Sequence, residues 1–261
     1  MARILLVSAE LADVAAAGGV AEYVLGLAAA LLAMGHDVRV VMPKYRFLLE
    51  KFHPRSILTN LWVRTGAPHN TDVLQPHNTD VLQFELDVHK DGSLKLPILL
   101  TGSHPHFEGI KSARDPLYPK PPPGMPWPEH DSWIAFCRAV VELLLSSSGD
   151  WQPDVIHCQD VHTALVPVYV SQLRWNHVPG FANHCRTVLT IHNLEYQGRG
   201  YRSLVSRAGL PDELFHSLFE FHGIANTFKA GMYTADAVST VSVTYAQEIS
   251  SRACYELLPI G

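Results

Sequence analysis

The chain has 261 residues, of which 47% are hydrophobic and 17% are charged, and its formal net charge is −5. This length allows one large or two small domains, and the apolar share is sufficient for a sizeable core. The absence of a basic excess argues against binding along a nucleic-acid backbone, and the high apolar content excludes intrinsic disorder.

The cysteines and the longest apolar run indicate a reducing, membrane-free setting. The chain contains four cysteines, Cys137, Cys158, Cys185 and Cys254, and none belongs to a C-x-x-C pair. We expect four free thiols and a cytoplasmic protein. The N-terminal apolar run is too short for a signal peptide, and the run at 24–34 is about half as long as a membrane span requires.

Short apolar runs alternate with helical stretches along the chain. Residues 3–8 (RILLVS) are predicted to form a buried strand, residues 18–33 a helix that ends at Gly35, and residues 37–42 a second strand that Pro43 stops. Such a β-α-β unit of about 40 residues indicates a parallel sheet.

The same alternation resumes further along the chain. We predict helices and strands in the following segments: strands at 84–88, 95–100, 154–157, 187–191 and 237–241, and helices at 132–145, at 162–173 with an irregularity at Pro167, and within 214–233. About six parallel strands with intervening helices form a Rossmann-like, doubly wound α/β domain, in which ligands bind beyond the carboxyl ends of the strands.

Two segments break this pattern. Seven prolines between Pro116 and Pro128 exclude a helix or a central strand and predict an extended surface loop. The octapeptide PHNTDVLQ occurs at 68–75 and again at 76–83. A solenoid needs three or more units. The pair is therefore either a recent duplication in a loop or hairpin, where added length costs little closure entropy, or an assembly or gene-model artefact.

Four segments that follow predicted strands carry chemically interesting residues. They are SAE with GGVAE in 8–22, DVIHCQDVHTAL at 154–165, TIHNLEYQG at 190–198 and ADAVSTVSVTYAQEI at 235–249. In this order and spacing, from residue 3 to about residue 249, they resemble the bacterial glycogen and plant starch synthases. These enzymes transfer glucose from ADP-glucose to a growing α-1,4-glucan.

The resemblance implies a GT-B glycosyltransferase built from two Rossmann-like domains with the active site in the cleft between them. Residues 1–261 would form the first, acceptor-side domain, and the second, nucleotide-binding domain would be absent. The implied reaction retains the anomeric configuration and needs no cofactor and no metal. Nucleotide-glucose and α-glucan are the implied partners, in the cytoplasm, or in the plastid for a plant-type source.

The first implied site is the loop at Gly18 and Gly19. Two glycines allow the backbone to approach a ligand closely, and the following helix N-terminus favours a phosphate. In the family this loop reads K-x-G-G-L and its lysine contacts the nucleotide diphosphate, whereas Ala16 occupies that position here. Glu22 stands where the family usually has aspartate. On the residues alone, a tight strand-to-helix turn without a ligand remains an alternative.

The second implied site is the catalytic one and contains His162 and Asp160. The family motif is close to H-x-H-D-W-H, in which the last histidine hydrogen-bonds the donor sugar. Gln159 and Val161 replace a histidine and the tryptophan of that motif. Without the resemblance, His162 is an ordinary histidine at a helix start. A metal site formed by His157, Cys158 and His162 is a minor alternative, because the spacing is not that of a zinc site.

The third implied site is the segment His192, Asn193, Tyr196 and Gln197, which the resemblance places at the edge of the acceptor and the donor sugar. Amide and aromatic groups suit sugar hydroxyls and sugar faces. A strand-end loop with a buried histidine is the alternative. Residues 127–130 (WPEH) resemble the Y-P-D-N segment of the family, and Trp133 replaces the arginine that usually follows.

Two functions from different classes fit the sequence. The first is a glycogen or starch synthase catalytic domain. The second is a non-catalytic glucan-binding or regulatory module derived from that domain, favoured by Ala16, Trp133 and Val161. An isolated domain would expose the face meant for its second half, so homodimerisation or a partner subunit is also expected there.

Overall fold

The computed structural model describes residues 1–64, 77–88, 92–118, 130–146 and 151–251. The first octapeptide copy, most of the proline-rich segment including residues 127–129, and Cys254 lie outside the described residues. Cys137, Cys158 and Cys185 are free, buried thiols.

Strands form the two sheets of the domain. The described residues form eleven strands: β1 (Arg3–Val7), β2 (Asp37–Pro43), β3 (Arg55–Val63), β4 (His77–Asp87), β5 (Lys95–Thr101), β6 (Val155–Gln159), β7 (Arg186–Ile191), β8 (Arg199–Gly200), β9 (Glu220–Phe221), β10 (Ile224–Asn226) and β11 (Ala237–Thr240).

Helices fill most of the connections. Within the described residues they are α1 (Gly19–Ala33), α2 (Arg46–Phe52), α3 (Pro105–Gly109), α4 (His130–Ser146), α5 (Leu165–Trp175), α6 (Ser203–Arg207), α7 (Thr227–Thr234) and α8 (Val243–Ile249). Short 3-10 turns occur at Val161–Thr163 and Phe181–Asn183, and a π-helical turn occurs at Phe215–Phe219. None of the described helices is long and apolar enough to cross a membrane.

The main sheet has the order β11-β7-β6-β1-β2-β5-β4-β3. The six strands from β11 to β5 are parallel, which confirms the predicted Rossmann-like α/β fold. The chain passes from β1 to β2 on one side and later to β6 on the other. The strand order therefore reverses beside β1, where ligands of open α/β sheets bind.

An antiparallel hairpin extends the sheet beyond β5. Strands β3 and β4 pair antiparallel with each other, and β4 pairs antiparallel with β5. The sequence pattern does not predict β3 and predicts only the end of β4, because register shifts in β3 and its largely exposed residues obscure the alternating pattern. Residues 77–83 of the second octapeptide copy form the first part of β4.

Two predicted helices differ from the structure. The predicted helix at 162–173 is a 3-10 turn followed by α5. Pro167 lies in the first turn of α5, where backbone N–H groups make no hydrogen bond within the helix, so the proline is tolerated there. The predicted helical region within 214–233 is divided by β9 and β10. Strand β10 pairs with β9 on one side and with β8 on the other in a small antiparallel sheet.

Helix α4 is buried on most of its surface and packs against α5, β3 and β5. It contains a buried carboxylate, Glu142, which accepts hydrogen bonds from Arg64 and Arg138 at 2.9 Å each. A buried carboxylate is tolerated when such charged donors satisfy it. This helix also contacts the loop after β6, where the Cys137 thiol donates to the His162 carbonyl at 3.2 Å.

Candidate active site

A cavity of about 750 Å³ opens at the carboxyl ends of the parallel strands. Its walls come from the loops after β1, β6, β7 and β11, together with the first turns of α1 and α4 and with Tyr118. These four strand-end loops are the four segments that the sequence analysis selected. Of the nine predicted site residues, eight line the cavity, namely Gly18, Gly19, Asp160, His162, His192, Asn193, Tyr196 and Gln197.

Glu22 is the predicted site residue that does not line the cavity. It lies in the first turn of α1 and its side chain is exposed. Its expected role came from the resemblance alone, and its position in the first turn of α1 turns its side chain to solvent. In this position the negative charge of Glu22 interacts favourably with the helix dipole and stabilises the N-terminus of α1.

The glycine loop is held from below by Glu10. The Glu10 carboxylate accepts hydrogen bonds from the backbone N–H groups of Ala17 at 2.6 Å and Gly18 at 2.8 Å. The Gly18 amide is therefore already hydrogen-bonded within the protein and is not free to bind a phosphate. Gly19 and Val20 are the first residues of α1, whose N–H groups have no intrahelical partner. These two amides are the ones available to an anion.

His162 is enclosed by aromatic rings. Tyr118 stacks on its imidazole with ring centroids 4.3 Å apart, and Trp133 meets it edge-on at 4.6 Å. Burial lowers the pKa of His162 to about 3, with a smaller effect of His130. The imidazole is neutral at neutral pH, so it offers one donor and one acceptor rather than a charge.

Asp160 carries backbone strain at the end of β6. Its φ of 62° and ψ of −175° lie in a region that non-glycine residues avoid, at a cost of about 1–3 kcal/mol. Burial raises the pKa of Asp160 to about 7, although hydrogen bonds from the backbone of Asn193, His192 and Val161 act in the opposite direction. Its Oδ1 is buried without a partner. Strain and an unsatisfied oxygen in one residue mark a functional position.

His192 is fixed by contacts on two sides. Its Nε2 hydrogen-bonds to Oε1 of Gln159 at 2.9 Å, and its ring meets Tyr23 of α1 edge-on at 4.9 Å. Burial lowers the pKa of His192 to about 4, with a smaller effect of His157. Asn193 beside it is exposed, and its Oδ1 accepts from the N–H of Glu195 at 3.0 Å. The amide group of Asn193 thus keeps its two N–H donors for a ligand.

Tyr196 and Gln197 differ in what they present to the cavity. Tyr196 is 49% exposed, so its ring is accessible to a ligand. Gln197 is buried, and its Oε1 accepts from Arg199 and from Nδ2 of Asn226 at 2.9 Å, while its Nε2 donates to the Leu194 carbonyl. The geometry gives Gln197 the task of shaping the loop, rather than the ligand contact that was predicted for it.

The cavity wall is richer in carboxylates than in permanent cations. Glu10, Asp160 and Glu195 line it, and Arg199 is the one lysine or arginine among the lining residues that the structure describes. Arg199 donates to Gln197 Oε1 through Nε at 3.2 Å and Nη2 at 3.0 Å. The exposed Ala16 adds no charge at the loop.

Tyr118 is a site residue that the sequence pattern does not predict. Tyr118 falls in the proline-rich segment that was predicted to be a surface loop, yet its ring faces the cavity and Leu117 beside it is buried. Trp133 was noted only as a replacement for arginine. No local pattern marks either residue, because their partners lie far away in the sequence.

The described residues contain no group of three or more histidine, cysteine, aspartate or glutamate side chains placed to hold a metal ion. His157 instead hydrogen-bonds through Nε2 to Thr190 Oγ1 at 2.6 Å, and Cys158 is fully buried. The minor alternative of a metal site formed by His157, Cys158 and His162 has no support in this geometry.

Comparison with known proteins identifies the family. The sequence model of the family described as the starch synthase catalytic domain matches residues 3–258. The chain belongs to this family. Two relatives of the starch synthase domain are glycogen synthase 2 of Geobacter sulfurreducens, 36% identical over 255 residues, and glycogen synthase of Pseudomonas aeruginosa, 33% identical over 252 residues. The alignments cover 95% of this chain, and 46% and 44% of the two relatives.

A solved structure supports the same assignment. The catalytic domain of starch synthase IV from Arabidopsis thaliana, bound to ADP and acarbose, matches with a TM-score of 0.78 and 26% identity over 99% of this chain and 48% of that one. This starch synthase domain therefore has the fold of the first half of a GT-B glycosyltransferase. The chain spans about half the length of the relatives it matches.

Proposed function

We propose that the protein containing this starch synthase domain transfers glucose from ADP-glucose to an α-1,4-glucan with retention at the anomeric carbon. The observation that carries the proposal is the single cavity that brings Gly19, His162 and Asn193 together at the ends of three parallel strands. The Arabidopsis relative was solved bound to ADP and acarbose, which supports a nucleotide and a sugar-type ligand for this domain.

The diphosphate of the donor is expected at the start of α1. The free N–H groups of Gly19 and Val20 and the positive end of the helix dipole favour an anion at this position. Arg199 is the one lysine or arginine in the described wall, so we expect the diphosphate site to need further basic groups outside it. A nucleoside diphosphate is already a good leaving group, so positioning and charge stabilisation are the main requirements.

The glucose units are expected between His162 and the loop after β7. Neutral His162 can exchange one hydrogen bond with a sugar hydroxyl, and the free amide donors of Asn193 can reach others. Tyr196 offers an accessible ring face for the apolar side of a sugar. We assign Asp160 a place beside these sugars, because it lines the cavity and its Oδ1 is buried without a partner.

The proposal is tested by incubating the complete protein with labelled ADP-glucose and glycogen. We expect label to enter glycogen and expect His162→Ala to abolish most of the incorporation. His184→Ala is the matched control, because His184 is exposed and lies away from the cavity. Absent incorporation by the wild-type protein, or equal incorporation by both variants, contradicts the assignment.

The carboxylate-rich wall favours a second candidate, a glucan-binding or regulatory module. Glu10, Asp160 and Glu195 disfavour a diphosphate but not an uncharged glucan. Such a module is expected to be retained on a glycogen column without incorporating label. Retention that disappears in Tyr196→Ala, together with absent transfer by the complete protein, would select this candidate.

A homodimer or partner subunit is proposed at the open side of the cavity. Val241 lines the cavity and is 44% exposed, and Val243 in the next turn is 78% exposed. Exposed apolar side chains of this kind favour a contact. Size-exclusion chromatography of the 261-residue chain over a concentration series tests the homodimer, and a strict monomer contradicts it. Cytoplasm, or plastid for a plant-type source, stays the predicted location.

A further inference from the structure

The Glu10 carboxylate connects two parts of the cavity that are distant in the sequence. Its Oε2 accepts from the backbone N–H groups of Ala17 and Gly18 at 2.6 and 2.8 Å, and its Oε1 accepts from the Tyr118 hydroxyl at 2.9 Å. Glu10 is 3% exposed. Each of its oxygens therefore holds a different wall of the cavity.

Residue 10 is itself rigidly placed. Ser8, the residue after β1, donates from Oγ to the Glu10 carbonyl at 2.7 Å and accepts from the Glu10 N–H at 3.1 Å. Ser8 is fully buried. These paired bonds fix the backbone of Glu10 to the end of a core strand, so its carboxylate has little freedom to follow a moving loop.

The first arm of Glu10 determines which amides the glycine loop presents. The Ala17 and Gly18 N–H groups point to the carboxylate, and this leaves Gly19 and Val20 as the free donors at the start of α1. Two amide donors and the adjacent helix N-terminus also offset the buried negative charge. Loss of the carboxylate would release both amides and the loop.

The second arm acts through Tyr118. With its hydroxyl held by Glu10, the Tyr118 ring lies nearly parallel to the His162 imidazole, at an interplanar angle of 16° and a centroid distance of 4.3 Å. Tyr118 thus covers one ring face of His162 and limits its rotation. The orientation of His162 depends on Glu10 although the two side chains do not need to touch.

We propose that Glu10 is a positioning residue that sets the glycine loop and the His162 ring together. The proposal rests on the proposed glucosyl transfer. In that reaction Glu10 would align the glycine loop, which faces the diphosphate, with His162, which faces the sugar. A loop held in place without ligand reduces the ordering cost of binding. Tyr118 carries this alignment from Glu10 to His162.

Nuclear magnetic resonance of the 261-residue chain tests the two arms without any substrate. Hydrogen bonds to the carboxylate are expected to move the Ala17 and Gly18 amide protons downfield, and the Tyr118 ring current is expected to move the His162 ring protons upfield. Glu10→Ala should remove both shifts. Tyr118→Phe keeps the aromatic ring but loses the hydroxyl that Glu10 holds, so it should change the shifts of the His162 ring protons and leave those of the Ala17 and Gly18 amides in place. Glu10→Gln, which retains an acceptor and a donor, should preserve most of both shifts.

Glu213→Gln is the matched control, since Glu213 is exposed and lies outside the cavity. If Glu10→Ala does not fold, Tyr118→Phe and Glu10→Gln still decide. His162 ring-proton shifts that are unchanged in Tyr118→Phe overturn the proposal. It is also overturned if Tyr118→Phe changes the Ala17 and Gly18 amide shifts as much as it changes the His162 ring-proton shifts.

Kinetics of the complete protein then separate the arms in function. Glu10→Ala is expected to raise KM for ADP-glucose by about tenfold or more and to lower kcat, because charged hydrogen bonds are lost from the loop. Tyr118→Phe should lower kcat with little change in KM. If the wild-type protein transfers no glucose, the proposed function fails, and the resonance measurements still decide whether Glu10 sets both walls.

Discussion

The side chains of Gln159 and His192 join the carboxyl ends of β6 and β7 through a hydrogen bond of 2.9 Å. Gln159 is 1% exposed and stands where the family has a histidine, and its Nε2 is buried without a partner. The amide oxygen holds one nitrogen of His192, so the other nitrogen remains for the cavity. The pair determines how His192 is presented to a ligand.

Replacement of Gln159 by leucine tests how much the hydrogen bond between Gln159 and His192 contributes to stability. Gln159→Leu leaves Nε2 of His192 without its acceptor but also removes the unpaired buried Nε2 of Gln159, so we expect the free energy of unfolding to fall by about 1 kcal/mol. Urea denaturation followed by circular dichroism measures the change. Gln247→Leu on the exposed side of α8 is the control and should stay within about 0.5 kcal/mol of wild type. Equal stability of the two variants contradicts the role given to Gln159.

Buried neutral histidines make the domain acid-sensitive. Burial lowers the pKa of His157 from its ordinary value of 6.5 to about 4, so the unfolded chain binds more protons between these values. The stabilising contribution of neutral His157 is complete above pH 6.5 and is lost as the pH falls towards 4. We expect a loss of about 1–2 kcal/mol from this residue between about pH 7 and pH 5.

Urea denaturation at pH 7 and pH 5 checks this loss. His157→Gln, which can still hydrogen-bond Thr190, should reduce the difference in stability between the two pH values. His184→Gln at an exposed position should leave that difference unchanged. If the free energy of unfolding changes equally between pH 7 and pH 5 in wild type and in His157→Gln, the titration of His157 does not cause the acid sensitivity.

Asp236 fastens the edge strand β11 to the domain. Its carboxylate accepts from the Thr187 N–H at 2.7 Å, from Thr187 Oγ1 at 2.9 Å and from Arg174 Nη2 at 3.0 Å. Burial alone would raise the pKa of Asp236, but these hydrogen bonds outweigh it and hold the pKa below its usual range. The contribution is therefore present above about pH 4 and is lost as the pH falls further.

Asp236→Asn should lower the free energy of unfolding at pH 7 by about 1–2 kcal/mol. The ion pair with Arg186 adds little to this value, because solvent screens the exposed Arg186 side chain. The difference between wild type and Asp236→Asn should shrink below pH 4. Thermal denaturation at pH 7 and pH 3 measures both effects, with Asp212→Asn at an exposed loop position as the control. A constant difference at the two pH values would contradict the proposed linkage.

The parallel core and the site position were accessible from the sequence because both depend on local patterns. Six apolar runs predicted the parallel strands, and the rule for strand-end loops placed His162 and Asn193 on one cavity. The contact between Glu10 and Tyr118 spans 108 residues and follows no periodicity. Strand β3 was missed because it curves through two register shifts, which erase the alternation on which strand prediction depends.

Gly198 is required at the cavity wall for two separate reasons. Its φ is +60°, and a Cβ at this position would overlap Oγ1 of Thr227. Gly35 has φ of +81°, and a Cβ added there would have no neighbouring atom within 4 Å, so Gly35→Ala reports the backbone cost alone. We expect Gly198→Ala to destabilise the domain by about 1–3 kcal/mol more than Gly35→Ala.

The steric part of that difference should be relieved in Gly198→Ala combined with Thr227→Ala. Chemical denaturation of the single and double variants forms a mutant cycle that isolates the overlap. Equal effects of Gly198→Ala and Gly35→Ala would show that the loop relaxes and that Thr227 does not restrict it.

Tyr196 provides a test of glucan recognition that leaves the core untouched. Its ring is 49% exposed and lines the cavity, whereas Tyr201 is 64% exposed and lies outside it. If Tyr196 stacks on a sugar face, Tyr196→Ala should weaken maltoheptaose binding about threefold to tenfold, and Tyr196→Phe should retain most of the affinity. Isothermal titration of the complete protein measures this, with Tyr201→Ala as the matched control. Equal affinities for Tyr196→Ala and Tyr201→Ala would remove the loop after β7 from the glucan path.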